Sequence, residues 1–365
     1  MWARLDAGRA ADELRALLVH QTAAGLLPHV IFWDTSLLRR VSWQTLESAG
    51  APWRRPRATA MIQPPVIAQA VEAVVEGGGE ALLDEALPAL ERYYRFLARD
   101  RDPDRDGLIS TISQFESGLD FSPAYDPARW RVRPGARRLA LAARLPQVVN
   151  RVVDYDLDLV FALNPRHRED LLVNSVYADG LLAVGRLAGR RGKASLEAWA
   201  QERGSAVRER LLERCYDERR GLFFDLAGPR ELRAARVKTI LSLMPLLVQG
   251  LPDEVSGRLL EHLTDPREFW PAFPVPSVAL DEPSFSRDSL VDGRRRIWRG
   301  PCSMSTNWLL ARALRRDGHH DLADELAERS RRLVEQGGFN EFYDPVGGAP
   351  VGAPRFGWAT LAAVM

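Results

Sequence analysis

Leu171-Leu172-Val173-Asn174-Ser175-Val176-Tyr177-Ala178-Asp179-Gly180-Leu181-Leu182-Ala183-Val184-Gly185-Arg186-Leu187 repeats its apolar side chains at intervals of three and four residues. That is the period of a helix with one face against a core. The same spacing recurs over residues 11–18, 65–75, 81–97, 196–212, 237–248, 255–263, 303–314 and 322–334. A further helix is expected within 139–163 and another from about 356. Glycine and proline separate these runs, at Gly77-Gly78-Gly79, Gly192, Gly250-Leu251-Pro252 and Gly337-Gly338. Gln63-Pro64-Pro65 places proline in a first helical turn, where its missing N–H costs nothing. Alternating strand patterns are almost absent, so the chain reads as one all-α domain of stacked helical hairpins over residues 1–365.

Long connections follow alternate helices, at 25–62, 100–138, 216–235, 264–300 and 337–356. Loops of that length in a compact domain mark a functional face. They carry Trp33, Trp43, Trp53, Trp130, Trp270 and Trp298, six of the ten tryptophans. Indole faces on one rim suit the stacking of pyranose rings; the alternative is that they plug the core beneath the loops. With 46% hydrophobic residues the chain can bury a large core. Its 50 basic and 49 acidic residues give a net charge of +1 and no long-range pull toward nucleic acid or an anionic membrane. Lys193 and Lys238 are the only lysines. Two isolated cysteines, Cys215 and Cys302, offer neither a disulfide framework nor a zinc site. No signal pattern opens the chain, so a cytoplasmic protein is the expectation.

Chemistry concentrates in Glu116-Ser117-Gly118-Leu119-Asp120-Phe121-Ser122-Pro123. Carboxylates on a glycine-containing loop between Phe115 and Phe121 can have a raised pKa and still reach a ligand, as a general acid requires. A plain Ser/Asp/Gly turn is the competing reading. Upstream, Asp102-Pro103-Asp104-Arg105-Asp106-Gly107 imitates the first half of a calcium loop, but its twelfth position is Ser113 and the bidentate glutamate is missing. Three aspartates also make good turns without metal. Calcium therefore stays open, and no metal ligand or cofactor is assigned. The six histidines form no ligand spacing, and no phosphate-binding glycine loop is present.

Glu116-Ser117-Gly118-Leu119-Asp120-Phe121-Ser122 resembles the Glu-Ser-Gly-x-Asp segment of the trehalase-like and family 63-like glycoside hydrolases. Four more matches follow in the same order along the family pattern: Gln63-Pro64-Pro65, Trp298-Arg299-Gly300-Pro301 with Asn307-Trp308, Asn340-Glu341-Phe342-Tyr343-Asp344-Pro345 with Gly348, and Phe356-Gly357-Trp358. The chain is most similar to the mannosylglycerate and glucosylglycerate hydrolase type. This resemblance implies a six-hairpin α/α toroid and an inverting α-glycosidase acting on a small α-glycoside, such as mannosylglycerate, glucosylglycerate or a trehalose-like disaccharide. It implies Asp120 as general acid and Glu341 as general base. Trp33, Gln63, Phe115, Glu116, Gly118, Trp298 and Arg299 are expected to bind substrate. Glu116 has a salt bridge as its alternative, and Arg299 a tether to loop carbonyls. The family's Pro-Trp-Gln-Trp-x-Trp-Asp segment has no counterpart ahead of Leu27-Pro28-His29-Val30-Ile31-Phe32-Trp33, so the toroid is expected to lack its N-terminal helix, the chain being truncated there.

A small glycoside is thus the expected partner, with neither nucleic acid nor membrane, and the oligomeric state is open. Two other functions compete. A sugar epimerase on the same architecture would need catalytic histidines, and no loop presents one in a motif. A non-catalytic or truncated carbohydrate-binding module would fit the missing N-terminal aromatics.

Overall fold

A computed structural model describes residues 2–33, 46–50, 57–126, 135–164, 166–228, 232–233, 236–291 and 293–365. It is rich in helix. In chain order the helices are α1 (Trp2–Leu5), α2 (Ala7–Leu18), α3 (Ile67–Glu76), α4 (Ala81–Asp100), α5 (Ala136–Val152), α6 (Leu157–Leu163), α7 (Leu171–Arg190), α8 (Ala194–Arg210), α9 (Asp253–Thr264), α10 (Met304–Arg316) and α11 (His320–Gly337). Each periodic run found a helical element within a few residues of its expected bounds. Two differ in kind. Residues Ile240–Leu247 and Gly357–Val364 form tight 3₁₀ turns. In the first, Pro245 removes an N–H that a continuous α-helix would use. Residues 136–163 hold two helices, because Val153 to Asp156 turn the chain and the Asp156 carboxylate caps the Leu159 amide.

Helices pack in sequential pairs, α3 on α4, α7 on α8 and α10 on α11. Laterally, α7 touches α3 and the 240–247 turn, and that turn touches α10, which meets the 357–364 turn. The first and last elements are joined: α1 packs on α3, and Arg4 donates to the Val364 carbonyl at 3.0 Å. α7 lies at the centre, buried on nearly every face. By length and composition alone it is apolar enough to cross a membrane, but here it is the core helix of the fold. Its run of small and aliphatic residues lets neighbours approach closely. At Gly180 a Cβ would fall 2.0 Å from the Tyr94 hydroxyl oxygen.

The functional connections are largely irregular. Their longest regular piece is an antiparallel hairpin, Asn340–Tyr343 with Pro350–Pro354. The segment before α10 joins it through Cys302, whose amide donates to the Tyr343 carbonyl at 2.9 Å and whose carbonyl accepts from the Tyr343 amide at 3.0 Å. Loop residues 57–63, 101–126 and 298–303 are thereby collected at the starts of α3, α7 and α10.

Candidate active site

The Asp120 loop is held in a conformation that costs energy. Gly118 has φ +72° and Phe121 has φ +64°. Glycine tolerates that region, whereas phenylalanine there is strained by ~1–3 kcal/mol. Three contacts hold Phe121. Its amide donates to Gln114 Oε1 at 2.7 Å, its carbonyl accepts from Arg299 Nη1 at 2.8 Å, and the Arg296 guanidinium lies 5.1 Å from its ring centroid. Phe115 stands perpendicular to Phe121 at 6.4 Å and is partly buried against Met61, Ile112, Tyr155 and Val160. This is the apolar wall expected beside Asp120.

Beneath the loop lies an ion pair with no exposure. Arg101 donates to both Glu116 oxygens, Nη1 to Oε2 at 3.0 Å and Nη2 to Oε1 at 2.8 Å. The same carboxylate accepts from the Ile62 amide at 2.8 Å and the Ile112 amide at 2.7 Å. Burial pushes the Glu116 carboxyl up, and Arg101 with the two amides opposes that. The substrate-binding expectation for Glu116 is therefore corrected. All its accepting capacity in sight is spent on protein donors, and it splices the segment before Gln63 to the Asp120 loop. Arg299 is corrected in the same way. It is buried and grips Asp126 with both terminal nitrogens, at 3.2 and 2.7 Å, besides the Phe121 carbonyl. It tethers the loop and has little left to offer a substrate carboxylate.

Asp120 itself is only partly covered, and its carboxyl is pushed up to about 7. Burial is the main cause, followed by the nearby charges of Glu47 and, more weakly, Glu341. Glu341 thus lies close enough for its charge to be felt at Asp120, although 221 positions separate them (341 − 120). Its carboxylate Oε2 accepts from the Ala353 amide at 3.1 Å across the hairpin. Gly352 makes room for it: φ is +87°, and a Cβ there would come within 2.7 Å of Glu341 Oε2. Trp298, buried and also in the left-handed region at φ +62°, sets its ring edge-on to Phe342 at 4.9 Å, beside Glu341 on the same strand.

Glu47 was missed by sequence reading. It lies in the 25–62 connection with no motif around it. Burial pushes its carboxyl to about 7. Its segment is stapled to the α5–α6 turn: Arg151 donates to the Ser48 carbonyl at 2.9 Å, and the Tyr155 hydroxyl donates to the Leu46 carbonyl. The Ala60 amide donates to the Glu47 carbonyl at 2.8 Å. Two carboxyls raised by burial, with the charge of Glu341 also reaching Asp120, are the kind of arrangement that acid–base chemistry uses.

Other expected residues are placed less directly. Gln63 is half-buried at a small cleft with Ile31, Pro64 and Tyr93, and among the described residues nothing hydrogen-bonds its amide. Gly118 is exposed at the turn. Trp33 is 78% exposed, with only His20 edge-on at 5.6 Å among ring partners, and no described contact joins it to Asp120 or Glu341. Trp43, Trp53 and Trp130 lie outside the described residues. A separate cavity of about 430 Å³, lined by Glu72, Asp179, Arg186 and Arg312, sits toward the other ends of α3, α7 and α10 and holds none of the expected site residues. At the calcium-like loop, the Asp102, Asp104 and Asp106 oxygens lie within 4.8 Å of one another. Arg203 pairs with Asp102 at 2.6 Å and Arg210 with Asp106 at 3.3 Å, so guanidinium groups supply positive charge there. Asp102 also accepts from the Asp106 and Gly107 amides, as a turn-forming aspartate does.

Comparison with known proteins gives the family. The family model for the mannosylglycerate hydrolase MGH1-like glycoside hydrolase domain matches residues 1–359. The mannosylglycerate hydrolase of Thermus thermophilus is 30% identical over 391 residues, spanning 100% of this chain and 90% of that one. The glucosylglycerate hydrolase of Mycolicibacterium hassiacum is 28% identical over 405 residues, spanning 100% and 88%. A crystal structure of the GH63 mannosylglycerate hydrolase from T. thermophilus with Tris and D-glycerate superposes with a TM-score of 0.83 at 25% identity, covering 100% and 89%. The neutral trehalase of Saccharomyces cerevisiae shares the fold, at a TM-score of 0.57 and 15% identity over 85% of this chain and 63% of that one. With the family model spanning nearly its whole length, the chain belongs to the mannosylglycerate hydrolase MGH1-like glycoside hydrolases.

Proposed function

We propose that this chain is an inverting α-glycosidase on a six-hairpin α/α toroid, and that it hydrolyses a small α-glycoside of glyceric acid. The observation that carries the reading is the Asp120 carboxyl, held near 7 on a strained, tethered loop within the field of Glu341. At neutral pH such a carboxyl retains a large share of its proton. It can pass that proton to the glycosidic oxygen as the bond to the anomeric carbon breaks. Glu341, fixed by the Ala353 amide, takes a proton from water as that water attacks the opposite face of the sugar. Glycerate leaves, and the free sugar forms with inverted configuration. The inverting geometry needs ~6.5–9.5 Å between the two carboxyl groups, room for one water. The substrate class is supported by the relatives, one named for mannosylglycerate and one for glucosylglycerate.

Proton NMR of the first turnovers, before mutarotation, tests the mechanism. The sugar should appear as the β-anomer from an α-glycoside, and Glu341→Gln should abolish its formation with every leaving group. An α-anomer would require a covalent intermediate and a different role for Glu341. No hydrolysis of either glycoside would leave the carbohydrate-binding reading in its place.

A further inference from the structure

The helix pair α5–α6 carries an apolar stripe that the rest of the described chain leaves open. Leu141, Leu145, Val148 and Val152 are 67, 47, 43 and 79% exposed. They fall at i, i+4, i+7 and i+11, so they line one face of α5 along nearly its full length. Leu159 and Leu163, one turn apart on α6, are 48 and 55% exposed. Isolated exposed apolar side chains are ordinary, but four leucines and two valines on two adjoining helices form a patch of the kind that binds something.

Charge around the stripe is polar in the other sense, along the helix. Arg137 and Arg138 stand exposed at its N-terminal end, and Arg144 stands exposed midway along it. Beside them lie the exposed Arg294 and Arg295 and the half-buried Arg296, which anchors the helix start by donating to the Ala136 carbonyl at 2.9 Å. Among the described residues no carboxylate pairs with Arg137, Arg138, Arg294 or Arg295, and the charges of Arg294 and Arg144, after burial, push Arg296 down. At the opposite end Asp154, Asp156 and Asp158 stand exposed within five residues. Arg151 answers Asp154 at 2.9 Å, Asp156 caps α6, and among the described residues Asp158 has no ion pair. The stripe thus runs between a basic end and an acidic end.

We infer that this face is a self-complementary interface, occupied by the same face of a second copy of the chain in an antiparallel, two-fold arrangement. Antiparallel pairing centred between Leu145 and Val148 lays stripe on stripe. It sets residue 138 of one copy opposite residues near 155 of the other, so the arginine end meets the aspartate turn twice over. A two-fold interface requires such a patch, since each copy must offer what the other lacks. An anionic membrane is the other natural host for an arginine-flanked apolar helix, but the aspartate turn would be repelled by it. The same turn staples the segment that carries Glu47, so the contact would buttress that segment beside the Asp120 loop, which rests on the function proposed above.

Sedimentation equilibrium on the full chain tests the inference. The native chain should pass from monomer to dimer between roughly 1 and 100 µM, the range of a modest interface. Leu145→Asp with Val148→Asp should weaken the dimer at least ~100-fold, with the far-UV spectrum unchanged and the thermal midpoint equal to that of the native chain at dilutions where the native chain is monomeric. Arg137→Asp/Arg138→Asp and Asp158→Arg should each be monomeric alone, and should form a mixed dimer when combined, because the swap restores opposite charges at both ends. A native chain that stays monomeric through that range would overturn the proposal. So would two charge variants that remain dimeric alone, or native monomer that floats with phosphatidylserine vesicles, which would assign the stripe to a membrane.

Discussion

Replacing Asp120 with Asn should make the protein more stable at alkaline pH while it slows the turnover of substrates with poor leaving groups. The carboxyl sits at about 7 where 3.8 is ordinary, chiefly because it is buried near Glu47. Each pH unit of such a difference is worth ~1.4 kcal/mol, so the whole rise sets an upper bound of ~4 kcal/mol. The side chain is only partly covered, and solvent screening reduces the expected effect to ~2 kcal/mol. The sign follows from the direction. Below about 3.8 the carboxyl is neutral in both folded and unfolded chain, and its contribution to stability is complete. Between about 3.8 and 7 the unfolded chain releases the proton and the folded one keeps it, so stability is lost as pH rises, and above about 7 the loss is full. Asparagine does not titrate. Urea unfolding at pH 4 and pH 8 should therefore find Asp120→Asn close to native at pH 4 and ~2 kcal/mol more stable at pH 8. Turnover of a glycoside with a poor leaving group should fall by ~10²–10⁴, and an activated aryl glycoside should be spared in part. A stability difference that does not change with pH, or a variant that keeps its rate on both substrates, would refute the reasoning about this carboxyl.

Three further outcomes are expected. kcat/KM should decline above pH about 7 as Asp120 ionises, and Glu47→Gln should move that limb to lower pH by removing a neighbouring negative charge, which a pH–rate profile of both proteins reads directly. Glu116→Gln should cost roughly 3–5 kcal/mol in urea unfolding, because Arg101 is left buried without its counter-charge; a loss of under about 1 kcal/mol would mean the pair is not the splice described. Gly352→Ala should lower kcat by ~10–100-fold with KM nearly unchanged, since the new Cβ meets Glu341 Oε2 in a backbone region that alanine resists; an unaffected kcat would show that the hairpin does not fix that carboxylate.

Helix periodicity is a local property, and it was legible. The runs at 171–187, 81–97 and 322–334 became α7, α4 and α11 because side chains three and four apart share a face whatever lies beyond them. The 237–248 run shows the limit: its apolar pattern was read as a helix, but Pro245 shortens the hydrogen-bonding reach and gives 3₁₀ turns. Glycine-rich loop chemistry around Asp120 was also visible, as was the strand-borne Glu341, because both stand in recognisable segments.

What a residue faces is not local, and the chain alone could not decide it. Glu116 and Arg299 carry the same charges whether they touch a sugar or the protein. Only the fold shows Glu116 enclosed by Arg101 and two amides, and Arg299 spent on Asp126 and the Phe121 carbonyl. Glu47 had no motif, and it matters because a turn 100 residues away holds its segment beside the Asp120 loop. Sequence thus determined which elements form and which residue types could do chemistry. Burial, proximity of like charges and the direction of each hydrogen bond arise from contacts between segments far apart in the chain. Those contacts alone determine which carboxyl keeps its proton and which is locked in the scaffold.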